Sequence, residues 1–215
     1  MIIFGAKGLA KEILEVCLEK EDRDNIVFYD DVSKDLPTKL YNEFRIIRTI
    51  DDVKNYFDDV DNRFVIGIGG PSLREFAFNK LIENGGVPIT LISQHTNVGS
   101  FGVEIGEGTN VMLRSVITND VKIGKGVLVN QLTSIGHDVT IGNFVEICPG
   151  VAISGKCVVG DLTFLGTNCS ILPNINIGRH VVIGAGSVIN RDVPDGSTVV
   201  GVPGKVIKTN YYTIN

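Results

Sequence analysis

The chain has 215 residues, a formal net charge of −5, 25 glycines, four cysteines and no tryptophan. An acidic balance without a basic cluster gives no electrostatic footprint for nucleic acid or an anionic membrane surface, and no run approaches the roughly 18 apolar residues of a membrane span. Cys17, Cys148, Cys157 and Cys169 form no CxxC pair and no metal spacing, and the opening MIIFGAKG has no charged segment leading into a long apolar run, so the expectation is a cytoplasmic protein of one or two domains without a metal.

Taken in order, residues 2–4 predict a short buried strand. The tight turn Gly5-Ala6-Lys7-Gly8 leads to a helix, because Leu9, Ala10, Ile13, Leu14, Cys17 and Leu18 recur at helical spacing. Residues 26–29 predict a second strand ending at Asp30-Asp31. That is a βαβ half-unit with a glycine turn at a helix N-terminus, where backbone N–H groups can meet phosphate and an acidic pair can receive a ribose or base. G-x-x-G is not the G-x-G-x-x-G fingerprint, so these residues alone leave nucleotide binding and plain turn punctuation both open. Residues 32–48 are polar, contain Pro37 and read as a loop. Thr49 with Asp52 predicts a capped helix through Phe57, and residues 63–68 a third strand. Gly67, Gly69 and Gly70 make a second glycine turn. Ser72 with Glu75 reads as the cap of a helix whose core face is Leu73, Phe76, Ala77 and Leu81 and which Gly85-Gly86 stops. Residues 87–92 predict a last strand. Residues 1–92 are therefore expected to form a small Rossmann-like parallel α/β domain with both glycine turns at strand ends, where such sheets bind ligands.

Residues 93–104 read as a lead-in coil, since Val98 and Ile105 are seven apart. From Ile105 to Ile189 every sixth residue is aliphatic and the phase never slips. Four positions after each comes a small or β-branched residue, from Thr109 through Cys157 and Cys169 to Val193, and Gly often follows the aliphatic position, as at Gly106, Gly124, Gly142 and Gly184. Six matches neither the helical 3.6 nor strand alternation. It fits short flat strands separated by tight turns, each hexad making one face of a prism, with the aliphatic residue on the axis, the small residue in a crowded corner, and Gly allowing turn dihedrals that a Cβ would oppose. Three hexads per coil make about five coils. Cys157 and Cys169, at corner positions, read as buried thiols. Gly201-Val202-Pro203-Gly204-Lys205 closes the repeat, and Tyr211 and Tyr212 fall in an expected extended tail. This second domain spans 93–215.

Three histidines could carry chemistry. His95, in the lead-in coil, and His180, at an expected turn, read as surface residues. His137 lies two residues after Ile135, projecting outward from a dry core, with Asp138 next to it and Asn130 seven residues before. A carboxylate can hold a histidine in one tautomer as a general base near neutral pH; spacing alone leaves that role and an ordinary exposed histidine both open.

The [LIV]-G-x4 hexads resemble the left-handed parallel β-helix of the hexapeptide acyltransferases, an exception to the right-handed crossover rule. The whole chain resembles the bacterial nucleotide-aminosugar N-acetyltransferases and sialic acid O-acetyltransferases. The likeness is carried by Phe4-Gly5-Ala6-Lys7-Gly8 with Lys11-Glu12, Tyr29-Asp30-Asp31, Ile66-Gly67-Ile68-Gly69 with Arg74, Ser134-Ile135-Gly136-His137-Asp138 and Gly201-Val202-Pro203-Gly204-Lys205. It implies an α/β plus all-β protein in which a Rossmann-like domain precedes a left-handed β-helix. It also implies acetyl-CoA as co-substrate, no metal, a nucleotide-linked amino sugar as acceptor, a role in bacterial surface glycan biosynthesis, and a homotrimer with active sites between chains. His137 would be the base, Asp138 its orienting carboxylate, and Gly155 the oxyanion amide. Thr167 and Ala185 would contact the CoA arm through their backbone, with Pro203 and Lys205 near its nucleotide end and Asn130 beside the reacting groups. Lys205 could equally be a solvated lysine. Gly5, Ala6 and Gly8 would face the acceptor's phosphates, Asp30 and Asp31 its base or ribose, and Gly69 the opposite wall. O-acetylation of a sialic-acid-type sugar is the alternative, and a non-catalytic trimeric solenoid the third reading. The glycine turns with Asp30-Asp31 favour a nucleotide-linked acceptor over a free sugar, and His137-Asp138 speaks against the solenoid without chemistry. The sequence departs from relatives at Leu9 and Ala10, where several carry a His, and at Glu146, where many carry another, which leaves the sugar's identity open.

Overall fold

The computed structural model of the chain describes residues 1–21 and 23–209; the tail expected at Tyr211 and Tyr212 lies outside the described residues. The front of the chain folds as β1 (Ile2–Phe4), α1 (Gly8–Cys17), β2 (Val27–Tyr29), β3 (Lys39–Leu40), β4 (Phe44–Ile47), α2 (Ile50–Asp59), β5 (Arg63–Ile66), α3 (Pro71–Ile82) and β6 (Val87–Pro88), with sheet order β3-β4-β2-β1-β5-β6. β1 lies between β2 and β5, parallel to both, and its residues are buried on both faces, as an aliphatic strand with helices on either side requires.

Three expectations for this domain are corrected. Residues 32–48 are not all loop: β3 and β4 pair as an antiparallel hairpin, with Tyr41 and Asn42 at positive φ in its turn. The surrounding polar residues obscured a short apolar run, Phe44 to Ile47, which buries Phe44 edge-on against Phe28. α3 is not capped by Ser72; its N-cap is Gly70, with Pro71 at the first turn. Its buried face is Arg74, Ala77, Phe78 and Leu81, whereas Leu73 and Phe76 are 60% exposed. The helical spacing holds but the buried stripe is shifted in phase, because a charged residue, Arg74, holds its first position. The Thr49 cap is present: its side chain accepts the Asp52 amide at 3.2 Å and donates to the Asp52 carboxylate at 2.7 Å.

The expected strand at 87–92 splits. β6 closes the front sheet, and Leu91–Ile92 opens the solenoid by pairing with Asn110–Val111. Every coil then contributes two-residue parallel strands to three sheets, which begin at Leu91–Ile92, Asn97–Val98 and Glu104–Ile105 and are called first, second and third below. Register advances by one coil at a time, as in Val111↔Val129, Ile117↔Ile135 and Ile123↔Ile141, so the aliphatic positions stack into one continuous core. The architecture is a Rossmann-like domain followed by a left-handed parallel β-helix.

The corner residues are buried, and their hydroxyls are satisfied by the next coil: Thr109, Ser115 and Thr163 each donate to a carbonyl at 2.8 Å. All four cysteines are free and buried, and burial pushes the Cys148 thiol up to about 11 and that of Cys169 up to about 12. Gly after the aliphatic position has a different role from the one expected. The positive φ falls two residues later, at Asp138, Lys156 or Gly126 for example. The earlier glycines are needed because a Cβ at Gly124 or Gly160 would meet the backbone of the next coil at 2.7 or 2.6 Å. They permit coil stacking, and the left-handed turn residue follows.

The front domain sits on the outer face of the first sheet and its edge with the third. Met112 and Leu128 join its core on one side, and Phe144 meets Phe78 with ring centroids 5.3 Å apart on the other. Asn110 donates to the Ile66 carbonyl at 2.7 Å. No helix among the described residues is long and apolar enough to cross a membrane.

Candidate active site

A cleft of about 410 Å³ opens at the C-terminal ends of β1, β2 and β5. It brings together Gly5, Ala6, Gly8, Asp30, Asp31 and Gly69, all of the residues expected to face a nucleotide. Gly5 is at φ 96, and a Cβ there would lie 2.6 Å from the Ile68 side chain, so the first turn requires glycine on two counts. The two aspartates differ. Asp30 is buried, and its carboxylate is occupied by backbone: it accepts from Ala6 at 3.2 Å and from Val32 and Ser33 at 3.2 and 2.8 Å. It therefore shapes both loops at the mouth. Asp31 accepts from the Tyr29 hydroxyl at 2.8 Å and from Lys80 Nζ at 2.6 Å. Burial would raise its pKa, but the bonds from Lys80 and Tyr29 outweigh that and the pKa is lowered, so Asp31 stands at the mouth as a carboxylate. Leu73 and Phe76, expected in the core, instead form an exposed apolar wall of this cleft. Lys80 Nζ stands over the Tyr29 and Phe76 rings at 5.1 and 5.7 Å. Sequence reasoning missed Leu73 and Phe76 as cleft residues, and Lys80 as the partner of Asp31 at its mouth; the one available signal was that the 74/77/78/81 stripe is an equally good helical face.

His137 and Asp138 occupy the turn between the second and third sheets. Asp138, at φ 58, folds back so that its Oδ2 lies 2.7 Å from His137 Nδ1. The imidazole is 63% exposed and reaches across to the next coil, where a Cβ on Gly155 would lie 2.6 Å from Nε2. A Cβ on Gly136 would lie 2.7 Å from the Gly155 amide nitrogen. Two glycines thus let a histidine ring and a backbone amide share one edge of the prism. A carboxylate can only accept, so Nδ1 donates the proton of that bond, which leaves Nε2 as the ring nitrogen that faces Gly155. His95 is exposed and His180 is half-buried at a turn, φ 54.

The remaining expected residues lie elsewhere in one chain. Thr167 and Ala185 are exposed at turns of the edge between the first and second sheets, and Lys205 is exposed in the closing hairpin of Ser197–Val200 with Lys205–Thr209. Asn130 is buried at the end of a first-sheet strand, where its carbonyl accepts from Ser115. The single chain therefore brings the cleft together and the His137 edge together, but not the two with each other. Among the described residues no group of His, Cys, Asp and Glu could hold a metal ion.

Residues 1–81 match the family model described as the PglD N-terminal domain, and residues 156–191 match that described as bacterial transferase hexapeptide, six repeats. The fold is similar to the acetyltransferase domain of PglB from Neisseria gonorrhoeae FA1090, with 29% identity, a TM-score of 0.87, and 96% of this chain and 98% of that chain covered. It is also similar to PerB from Caulobacter crescentus, solved in complex with CoA and GDP-perosamine, with 26% identity, a TM-score of 0.84 and 96% of each chain covered. A serine acetyltransferase from Bacillus pumilus is 49% identical over 51 residues, 24% of each protein, so the match spans about a quarter of that curated relative's length.

Proposed function

We propose that this chain, which belongs to the left-handed β-helix, hexapeptide-repeat acyltransferases, transfers the acetyl group of acetyl-CoA to the amine of a nucleotide-linked amino-deoxy sugar. The observation that carries the reading is the His137 arrangement: Nδ1 is held at 2.7 Å by Asp138 while Nε2 faces the Gly155 backbone in the next coil. The sugar amine attacks the thioester carbonyl, forming the C–N bond, and Nε2 takes a proton from the attacking nitrogen. The tetrahedral oxyanion accepts a hydrogen bond from the Gly155 amide. Collapse breaks the C–S bond, and the CoA thiolate recovers the proton from the imidazolium. Asp138 fixes the tautomer and stabilises the transient positive charge.

The acceptor's nucleotide is assigned to the front cleft, with phosphates at the Gly5–Gly8 turn and the N-terminus of α1. That helix has no side-chain cap and no acidic residue in its first turn, which leaves its positive end to an anion. The apolar wall of Leu73 and Phe76 suits a base or sugar face. Support for a nucleotide-sugar acceptor also comes from PerB, whose structure holds CoA and GDP-perosamine. We place the enzyme in the cytoplasm as a homotrimer, with each complete site shared between copies and its product used in bacterial surface glycan synthesis.

The test is a thiol-release assay with acetyl-CoA across UDP-, dTDP- and GDP-linked 3-amino and 4-amino sugars. Release with at least one amine, and formation of an amide product by mass, is the expected result. Release only with hydroxyl acceptors such as free sialic acid would replace N- by O-acetylation, and no release with any acceptor would remove the enzymatic reading.

A further inference from the structure

The cleft wall that carries Gly69 is not held by the front domain alone. Glu146 stands on the outer face of the first solenoid sheet and is 8% exposed. Its Oε2 accepts the Gly70 amide, and a Cβ on Gly69 would lie 3.0 and 3.3 Å from its two oxygens, so the carboxylate rests directly on the Gly69 backbone. One turn into α3, the fully buried Arg74 donates to the Ile66 and Ile68 carbonyls at 3.3 and 2.9 Å. It also donates to the solenoid carbonyls of Gly126 and Val127 at 3.0 and 3.3 Å. Carbonyls satisfy the guanidinium's N–H groups without neutralising it. Burial brings its pKa down to about 10, and the Glu146 charge opposes that fall. The turn from Ile66 to Gly70 is thus clamped between a solenoid carboxylate and a guanidinium that also grips the solenoid.

We infer that Glu146 is a positioning residue for the acceptor: it fixes Gly69 and Gly70 against the solenoid and so sets the width of the cleft. The inference rests on the reading of that cleft as the nucleotide-sugar site and adds the residue that holds its shape. Glu146 acts through backbone, not on the reacting atoms. Its carboxylate also places a negative charge beside the N-cap of α3, whereas the first turn of α1 on the opposite wall holds no acidic residue.

The test uses the full chain with Glu146→Gln, which keeps volume and removes charge, and Glu146→Ala. Both variants should exchange amide hydrogens faster across residues 67–73, with remote solenoid amides unchanged. UDP, dTDP and GDP serve as binding probes, and the nucleotide that the wild type binds should bind the variants about 5–10-fold more weakly. KM for the amino sugar should rise to match, while KM for acetyl-CoA and kcat stay within about twofold. Exchange or affinity unchanged in both variants overturns the positioning role, as does a loss confined to kcat, which would put Glu146 in the chemistry. A wild-type protein that binds none of the three nucleotides removes the cleft reading itself, and the inference with it. Wild-type binding that both variants retain removes only the inference.

Discussion

At the scale of residues, the proposed chemistry depends on a short geometry: one carboxylate, one imidazole and one missing Cβ. His137→Ala removes the base and leaves the proposed CoA positions Thr167 and Ala185 untouched. We expect kcat to fall by about 10²–10⁴ with acetyl-CoA affinity retained; a variant with near-normal kcat would end the assignment. Gly155→Ala is the sharper probe because it removes no functional group. The new Cβ would lie 2.6 Å from His137 Nε2, so the ring must swing away from the amide it shares the site with. Since the imidazole is 63% exposed, the ring can yield without disturbing the core, at the expense of its bond to Asp138, and the fold should accept the change. Turnover should drop at least about tenfold with the thermal midpoint held within about 2 °C. Equal losses of stability and turnover would mean that Gly155 serves coil stacking alone. The pairing of His137 with Asp138 could be read from adjacency in the sequence. That Gly155 stacks on the same edge follows from the period, because it lies three hexads, one coil, beyond His137; that the ring lies against its backbone, where a Cβ would be 2.6 Å from Nε2, is supplied by the structure.

At the scale of elements, the hexad is legible because three constraints coincide in six residues: an axial aliphatic side chain, a corner too small for bulk, and a turn. What remained hidden was set by neighbours distant in sequence. Glycine after the aliphatic residue answers to the coil above, not to its own dihedrals. Arg74 is absent from the core face expected of its helix because the carbonyls of Gly126 and Val127 that allow its burial are distant in sequence, and the Phe44 hairpin reads as loop until Phe28 covers it. The corner hydroxyls show the same dependence. Thr163 donates to Gly178 at 2.8 Å and accepts the Val181 amide at 3.1 Å, and Thr109 does the same with Gly124 and Val127. Thr163→Val keeps the corner's shape, which valine fills in other coils, but leaves the buried Val181 amide without its acceptor. The expected cost is about 1–3 kcal/mol, seen as a lower thermal midpoint with kcat unchanged, and Thr163→Ser should recover most of it. A Thr163→Val protein as stable as the wild type would show that the coil relaxes to pair that amide elsewhere.

At the scale of the molecule, the three sheets bound a triangular prism, so the edge between the second and third lies opposite the first. The front domain covers the outer face of the first sheet through Met112, Leu128 and Glu146, and His137 stands on that opposite edge. A chain acting alone would hold its acceptor cleft on one side of the solenoid and its base on the other. Proton transfer requires hydrogen-bond contact, so the proposed reaction requires the cleft of one copy to meet the His137 edge of another, and closed rings of identical subunits supply such contacts repeatedly. Subunit complementation tests this directly. His137→Ala lacks the base and keeps the cleft. Gly8→Glu keeps the base and places an anion where the phosphates are proposed to lie, at a position where a Cβ meets nothing within 4 Å, so folding should be spared. Each variant alone should be nearly inactive. Co-expressed in equal amounts, they should regain about a quarter of wild-type activity, because half of the randomly drawn bases and half of the randomly drawn clefts are intact. If base and cleft came from the same chain, no mixture could restore turnover, and a flat result from verified mixed oligomers would refute the shared site.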